Sequence, residues 1–402
     1  MPVWLDAIPE KAPKIARPGT RSWLLFLAFV MLVGIVLTLW CWTSERTGFV
    51  FWFTALGLPF CLWGLLFSLR RFAYKAEQVG AESRNVEREA LINSEILRGQ
   101  RSAWILGTHI QSPAGNKASD LLAAMKLAAP AIDFSCPRGC DKPVRYAALT
   151  EYQTDLSTAL KASITKLTTR VERIVQPLPA ALPCWLMLDC DSDLYPQVEE
   201  ELKAGLSQKT GRIFRLMDGK GLGAFDAWLD KRWDNPGILV AVTLSLPASP
   251  REEDADAVSM VVFSNRQALA WPEALRLHRP ERGTETTLTK TLNRALLWAK
   301  IGPDALRGSW ISGPCLTAGS GWNNACEGNH VEFSLSEDNF SLDPVLGYTR
   351  HAAPWVAITL ANAAFEQRGV QVIAAQPAAD KDDIWVAVIT REEVRKGSPG
   401  NV

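Results

Sequence analysis

The sequence predicts a large α/β domain carried behind an N-terminal hairpin of two transmembrane helices. Three observations lead there. Residues 22–44 and 47–69 are uncharged and strongly apolar, with only Glu45 and Arg46 between them. From residue 102 onward, short apolar runs alternate with stretches of helical spacing. Turn clusters such as Ser112-Pro113-Ala114-Gly115-Asn116 punctuate that alternation.

Each apolar stretch, at 1.5 Å rise per residue, reaches across a hydrocarbon layer of about 30 Å. The two must form a tight antiparallel hairpin. Trp23 stands at one end of the first stretch, Trp40 and Trp42 at the other, and Trp52 opens the second, where amphipathic rings anchor at headgroup depth. A cleaved signal peptide fits badly, because the first stretch is too long and a second follows at once. Lys11, Lys14, Arg17 and Arg21 precede the hairpin, Arg70, Arg71 and Lys75 follow it, and the turn is neutral. The positive-inside rule then places both termini in the cytoplasm. The expected segments are a cytoplasmic tail at 1–21, the hairpin at 22–69, a charged helical linker at 70–101, the α/β domain at 102–393 and a disordered tail at 394–402. Residues 1–15 also look disordered.

Within the domain the pattern predicts a strand at 103–109, a helix at 118–127, a helix at 154–175 and a buried strand at 183–188. A helix at 197–206, a strand at 213–217, a helix at 224–233 and strands at 238–246 and 257–263 follow. A second round comprises a helix at 287–300, a strand at 308–312, a loop rich in Gly, Asn and Cys, and a helix at 354–366. It closes with strands at 371–376 and 383–390, joined by a polar turn as a hairpin.

The chain has 402 residues and balances 43 basic against 43 acidic side chains, but up to Arg71 it holds seven basic and three acidic ones. The positive excess thus lies beside the apolar helices, where an anionic lipid bilayer is the partner. No basic stripe elsewhere would track phosphates, which argues against nucleic acid. Eight cysteines follow no regular framework, and Cys41 and Cys61 sit in the apolar stretches, consistent with a reduced compartment. Cys136, Cys140, Cys184 and Cys190 would supply four thiolates to zinc, but their spacing is wrong for a zinc knuckle, and buried free thiols are the preferred reading. No metal and no cofactor are expected.

Four segments, in order, are similar to those of β-ketoacyl synthases. Trp104-Ile-Leu-Gly-Thr-His-Ile-Gln-Ser-Pro-Ala-Gly-Asn116 resembles their first strand and turn, and Asp254-Ala-Asp-Ala-Val-Ser-Met-Val-Val-Phe263 the strand that closes the first half. Residues 293–306, ending in Gly302-Pro303-Asp304-Ala305, resemble the helix and turn before the first catalytic-histidine loop. Leu346-Gly-Tyr-Thr-Arg-His-Ala-Ala-Pro-Trp355 resembles the segment that carries the second histidine. The resemblance covers about residues 102–389 and implies a thiolase-like fold, a duplicated α/β domain whose two halves pack into five layers.

It also implies a chemistry whose residues are missing here. A synthase needs a cysteine at a helix N-terminus and two histidines that stabilise charge. The nucleophile segment falls near Asp218-Gly-Lys-Gly-Leu-Gly-Ala-Phe-Asp226, which has no cysteine. Ser309-Trp-Ile-Ser-Gly-Pro314 stands where the first histidine is expected, and Tyr348 follows Gly347 where the second is, with His351 three residues on. The expectation is a pseudoenzyme with no catalytic residues.

The candidate relic pocket comprises Gly219, Gly221, Gly223, Trp310, Cys315, Trp322, Tyr348, His351 and Trp355. The three glycines resemble a phosphate-cradling loop, but their spacing fits neither the dinucleotide fingerprint nor the Walker loop, so a tight strand-to-helix turn is preferred. Trp310, Trp322 and Trp355 would surround the former active site. Core packing is their simplest role, and an aromatic-lined groove the alternative. Cys315, His330 and Glu337 make a nucleophile, base and orienter on paper, as chance provides in any chain this size.

The function expected is a membrane-anchored, non-catalytic scaffold. Residues 225–239 and 256–266 are similar to a pattern in accessory proteins that escort lipase effectors of type VI secretion systems, which implies an adaptor whose partner is an effector or a secretion component. An immunity protein against a secreted toxin and a lipid-metabolism condensing enzyme are the alternatives, and a homo-oligomer is compatible with each. The topology has a direct check. A reporter fused after Val402 is expected to be active only in the cytoplasm, and one inserted between Glu45 and Arg46 only outside it; a periplasmic C-terminus would overturn the assignment.

Overall fold

A computed structural model of the chain describes residues 5–43, 46–138 and 142–391. Glu45 of the expected turn, Cys140 and the tail at 394–402 lie outside the described residues. The chain divides into two compact units, one at residues 4–95 and one from residue 96 onward.

The first unit is a helical pair. α1 (Thr20–Cys41) is 22 residues long. The second helix begins as α2 (Phe49–Trp52), passes through a π-helical turn at Phe53–Gly57 and continues as α3 (Leu58–Gly99). Pro59 explains the widened turn, because it has no N–H for the carbonyl four residues back; the Leu58 N–H bonds to Phe53 O instead. α3 runs unbroken through residue 70, so the hairpin's second helix and the charged helical linker are one continuous helix. Both helices are long and apolar enough to cross a membrane. They approach closely at Gly34, where an added Cβ would lie 2.2 Å from Pro59 Cγ. The Trp63 indole N–H donates to Trp23 O at 2.9 Å. Residues 9–12, within the stretch expected to be disordered, lie along α3: the Ala12 N–H donates to Asn85 Oδ1 at 2.8 Å, and Arg88 Nε to Pro9 O at 2.6 Å.

The second unit opens with β1 (Ser102–Gln111) and α4 (Ala118–Leu127). A small hairpin, β2 (Asp133–Ser135) and β3 (Val144–Tyr146), leads to α5 (Thr150–Thr154) and α6 (Leu156–Val175). The single helix expected at 154–175 is split at Asp155, whose carboxylate caps α6 by accepting from the Thr158 N–H. Then come β4 (Cys184–Cys190), α7 (Tyr195–Thr210), β5 (Phe214–Leu216), α8 (Gly221–Lys231), β6 (Ile238–Ser245) and β7 (Ala257–Ser264). The second half starts with β8 (Leu275–His278), β9 (Glu281–Gly283), α9 (Leu288–Ala299) and β10 (Ser309–Ser312). It continues with α10 (Pro314–Thr317), α11 (Gly321–Gly328), β11 (Asn339–Ser341) and α12 (Asp343–Leu346), and ends with α13 (Ala353–Arg368), β12 (Gln371–Ala375) and β13 (Ile384–Thr390).

The two halves share one topology. The first has strand order β5-β4-β6-β7-β1 and the second β11-β10-β12-β13-β8. In each, the first three strands are parallel and the fourth runs antiparallel to both neighbours. The halves join where β1 pairs antiparallel with β8, from Ser102 opposite His278 to Ile105 opposite Leu275. Where two separate central sheets are expected, backbone pairing therefore runs on as one eleven-stranded sheet.

Side-chain packing shows how one sheet makes five layers. Inner faces of both halves pack on a shared core with α8 and α13, through Phe225, Trp228, Trp355 and Leu360. The outer face of the first half packs on α6 and α7 through Leu167, Val171 and Leu202. That of the second half packs on α9 and α11 through Leu292, Leu296 and Trp322. The sheet thus bends round the central helices, and β1, the strand at the join, carries a register shift against β7 between Ile105 and Gly107.

Arg279, just after β8, ties this arrangement together. Its guanidinium, 2% exposed, lies 2.6 Å from Asp226 and 2.8 Å from Asp230, one turn apart on α8. Arg98 and Arg101 also pair with Asp230. Burial would raise the Asp230 carboxyl, but hydrogen bonds from Arg279 and Arg98 override it and hold the group well below the usual carboxylate range. Arg279→Met is expected to destabilise the protein by about 3 kcal/mol, because it leaves Asp226 and part of Asp230 buried without their cation. Thermal unfolding of the full chain checks this, and a change under about 0.5 kcal/mol would show that the cluster is ornamental.

Candidate functional site

A cavity of about 620 Å3 opens in the α/β domain at the C-terminal ends of β4 and β12. Ligands of open α/β sheets sit at such ends. Its wall gathers Asp189 to Ser192 after β4, Lys220 to Gly223 at the start of α8, Tyr348 to Pro354 ahead of and within α13, and the turn between β12 and β13. Two helix N-termini therefore face one space.

The glycine turn has a steric reason. Gly219 and Gly221 have φ of +93° and +57°, which glycine alone adopts without strain. A Cβ at Gly221 would point to Asp189 Oδ2 at 3.9 Å, and one at Gly223 to the Trp385 ring at 3.5 Å. The missing side chains leave the cavity open over Asp189 and Trp385. The turn lies between β5 and α8, and α8 starts at Gly221, three residues before the helix expected at 224–233.

Two ion pairs lie within the cavity wall. Asp189 is buried, and burial raises its carboxyl pKa against the pull of His351 and Lys220. Lys220 Nζ lies 3.5 Å from Asp189 Oδ1. Asp191 accepts from the Leu246 N–H at 2.6 Å and pairs with Arg350 at 3.3 Å. Arg350 holds φ +55°, a strained value for a residue with a Cβ. His351 Nε2 lies 3.0 Å from Leu244 O, so that ring nitrogen carries a hydrogen and donates. The Tyr348 hydroxyl donates to Gln376 O at 2.8 Å, and burial raises its pKa.

Of the residues singled out in the sequence, Gly221, Gly223, Tyr348 and His351 line this cavity, and Gly219 belongs to its turn. The tryptophans do not line it. Trp310, Trp322 and Trp355 are each 1% exposed. Trp310 donates to Gln371 Oε1 and stacks on Phe340, Trp322 donates to Ser309 Oγ, and Trp355 packs near Phe263. They are core residues, and no aromatic groove forms from them. Cys315 also lies off the cavity, where its N–H donates to Gln376 Oε1. His330 is exposed beyond α11, and no hydrogen bond joins it to Cys315 or Glu337 among the described residues. Cys184 and Cys190 stand at opposite ends of β4, roughly 20 Å apart at strand rise, too far to share a metal ion.

Sequence reasoning missed Asp189, Lys220, Arg251, Arg350 and Trp385 of the wall. The Asp189-Cys190-Asp191 run at the end of a buried apolar strand was the available signal. Cys190 is the cysteine on this wall, and burial pushes its thiol up to about 12, with Asp189 and Asp191 adding to that rise against Lys220.

No family profile matches the sequence, and no curated protein matches it. Solved structures do match in three dimensions. The PfaC ketosynthase–chain length factor superposes with a TM-score of 0.54 at 8% identity, covering 73% of this chain and 43% of that one. The oxazolomycin ketosynthase domain of Streptomyces albus gives 0.52 at 11% identity, covering 75% and 76%. The ketosynthase from module 6 of the Bacillus subtilis bacillaene synthase gives 0.52 at 9%, covering 73% and 72%. The chain spans less than half the length of the first of these. The α/β domain has the thiolase-like fold of ketosynthases, and at these identities the likeness is one of fold.

The Cys190 environment gives a direct check. In the native protein Cys190 is expected to resist iodoacetamide at pH 8 and to react in denaturant, because so little thiolate forms. Rapid native alkylation, mapped by peptide mass spectrometry, would show a lowered pKa and a nucleophile on the wall.

Proposed function

We propose that this protein is a membrane-anchored, non-catalytic binding protein whose thiolase-like domain holds another protein at the cytoplasmic face of a bacterial inner membrane. One observation carries the silent reading. The helix N-terminus that faces the cavity from the central layer begins with Gly221, a residue with no side chain, and the cysteine nearby is held as a thiol. Thiolate chemistry needs the opposite arrangement.

The anchor rests on the apolar helices. Leu25, Phe29 and Leu32 of α1 are exposed at 73%, 63% and 63%, whereas the core helix of a soluble protein would bury them. Basic residues on both flanks support termini on the cytoplasmic side. The similarity of residues 225–239 and 256–266 to accessory proteins of lipase effectors supports an effector or a secretion component of a type VI system as the partner, and an adaptor role.

Affinity purification from detergent extract separates the candidate roles. An adaptor is expected to recover an effector together with delivery components, and recovery of a toxin alone would favour an immunity protein. Incubation with malonyl and acyl thioesters tests the silent reading. Covalent acylation of any cysteine, or loss of cellular function in Cys315→Ala, would replace it with a condensing enzyme.

A further inference from the structure

A second cavity, of about 300 Å3, lies in the helical unit beside the start of α1. Phe67, Arg70, Arg71, Tyr74 and Lys75 line it from α3, at the i, i+3, i+4, i+7 and i+8 spacing that shares one helix face. Arg17 closes it from the segment ahead of α1. Tyr74 is buried, and the four cationic side chains are exposed. No carboxylate is part of the lining. Among the described residues no ion pair engages Arg17, Arg70 or Arg71, and Lys75 Nζ bonds to the uncharged amide of Gln78 at 3.2 Å.

Four cations round one small space repel each other unless an anion stands among them. Some exposed cations elsewhere in this chain meet carboxylates, as Lys11 does at Glu89 and Arg282 at Asp383. This cluster does not, and it sits where the apolar part of α3 ends. We infer that the cavity holds the phosphodiester headgroup of an anionic glycerophospholipid. Arg17, Arg70, Arg71 and Lys75 bind the phosphate oxygens, and the Phe67 and Tyr74 face packs against the glycerol portion. The inference rests on the membrane-anchored reading and adds a specific lipid to it.

The test uses the full chain reconstituted in nanodiscs that contain phosphatidylcholine and phosphatidylglycerol, followed by native mass spectrometry of the lipids that remain bound. Wild-type protein is expected to retain phosphatidylglycerol over phosphatidylcholine by ~10-fold or more, and the triple variant Arg17→Gln, Arg70→Gln, Arg71→Gln to retain both equally. Equal retention by the wild type would overturn the site. So would inorganic phosphate alone, if it stabilised detergent-purified protein as much as phosphatidylglycerol does, because the ligand would then be free phosphate. An alkaline wash of native membranes separates the two levels of the argument. Protein that stays in the membrane without a lipid preference removes the site alone, whereas protein released by the wash removes the anchor and the site with it.

Discussion

A guanidinium almost sealed from water fixes how the α/β domain is put together. Taking Arg279 out of water costs several kcal/mol, which hydrogen bonds recover only if its donors are met. They are met here by Asp226, by both oxygens of Asp230 and by Arg98 O. Apolar residues would fill the same space at similar stability, but they would not select one rotation of α8. Asp226 and Asp230 both reach Arg279 in one rotation only, since they are four residues apart on that helix. That rotation sets Gly221 and Gly223 towards the cavity at the other end of α8. The same stretch of chain, β8, also makes the pairing with β1 that joins the halves. One side chain thus couples the seam between the halves to the mouth of the site.

The strands legible in the sequence are those buried on both faces. β4, β6 and β7 are seven or eight residues long, buried along their whole length and mostly apolar, so no periodicity is needed to find them. β8, β9, β11 and the β2–β3 pair are three or four residues long and carry Arg, Glu, Asn or Asp, so nothing in their composition sets them apart from loops. β8 is the costly omission, because it is the first strand of the second half, where the sequence pattern predicts a helix first. Of the site, glycines and the Tyr348–His351 segment were legible because turns and a family resemblance mark them. The wall charges were not, since Asp189 and Arg350 come together only through tertiary contact of β4 with the start of α13. The tryptophans drew attention by size, and size is what placed them in the core.

The helical unit follows a different rule, because its two apolar helices leave most of their side chains exposed and share little core. Contact must come from close approach and from hydrogen bonds. Gly34 supplies the first by letting α1 meet Pro59, and the Trp63 indole the second through Trp23 O. Pro59 at this crossing has a further effect through the π-helical turn, which shifts the face that the second helix presents to α1. Leucine at position 34 would separate the helices, and neither the turn nor the ring contacts of Trp23 with Phe67 would compensate.

Back in the α/β domain, two helix N-termini direct their field into the cavity. An anion placed centrally gains from both helix ends. An anion at Cys190 meets Asp189 and Asp191 on either side, in a buried strand, and is disfavoured. The positive potential is in turn neutralised by pairs within the wall, Lys220 with Asp189 and Arg350 with Asp191. In both pairs the cation is the more exposed member, 58% for Lys220 and 31% for Arg350, against 7% for Asp189 and 12% for Asp191. Arg350 stores strain in its positive φ, about 1–2 kcal/mol for a residue with a Cβ, and its ion pair with Asp191 helps to hold it there. A wall built this way favours an anion at its centre over a thiolate at Cys190.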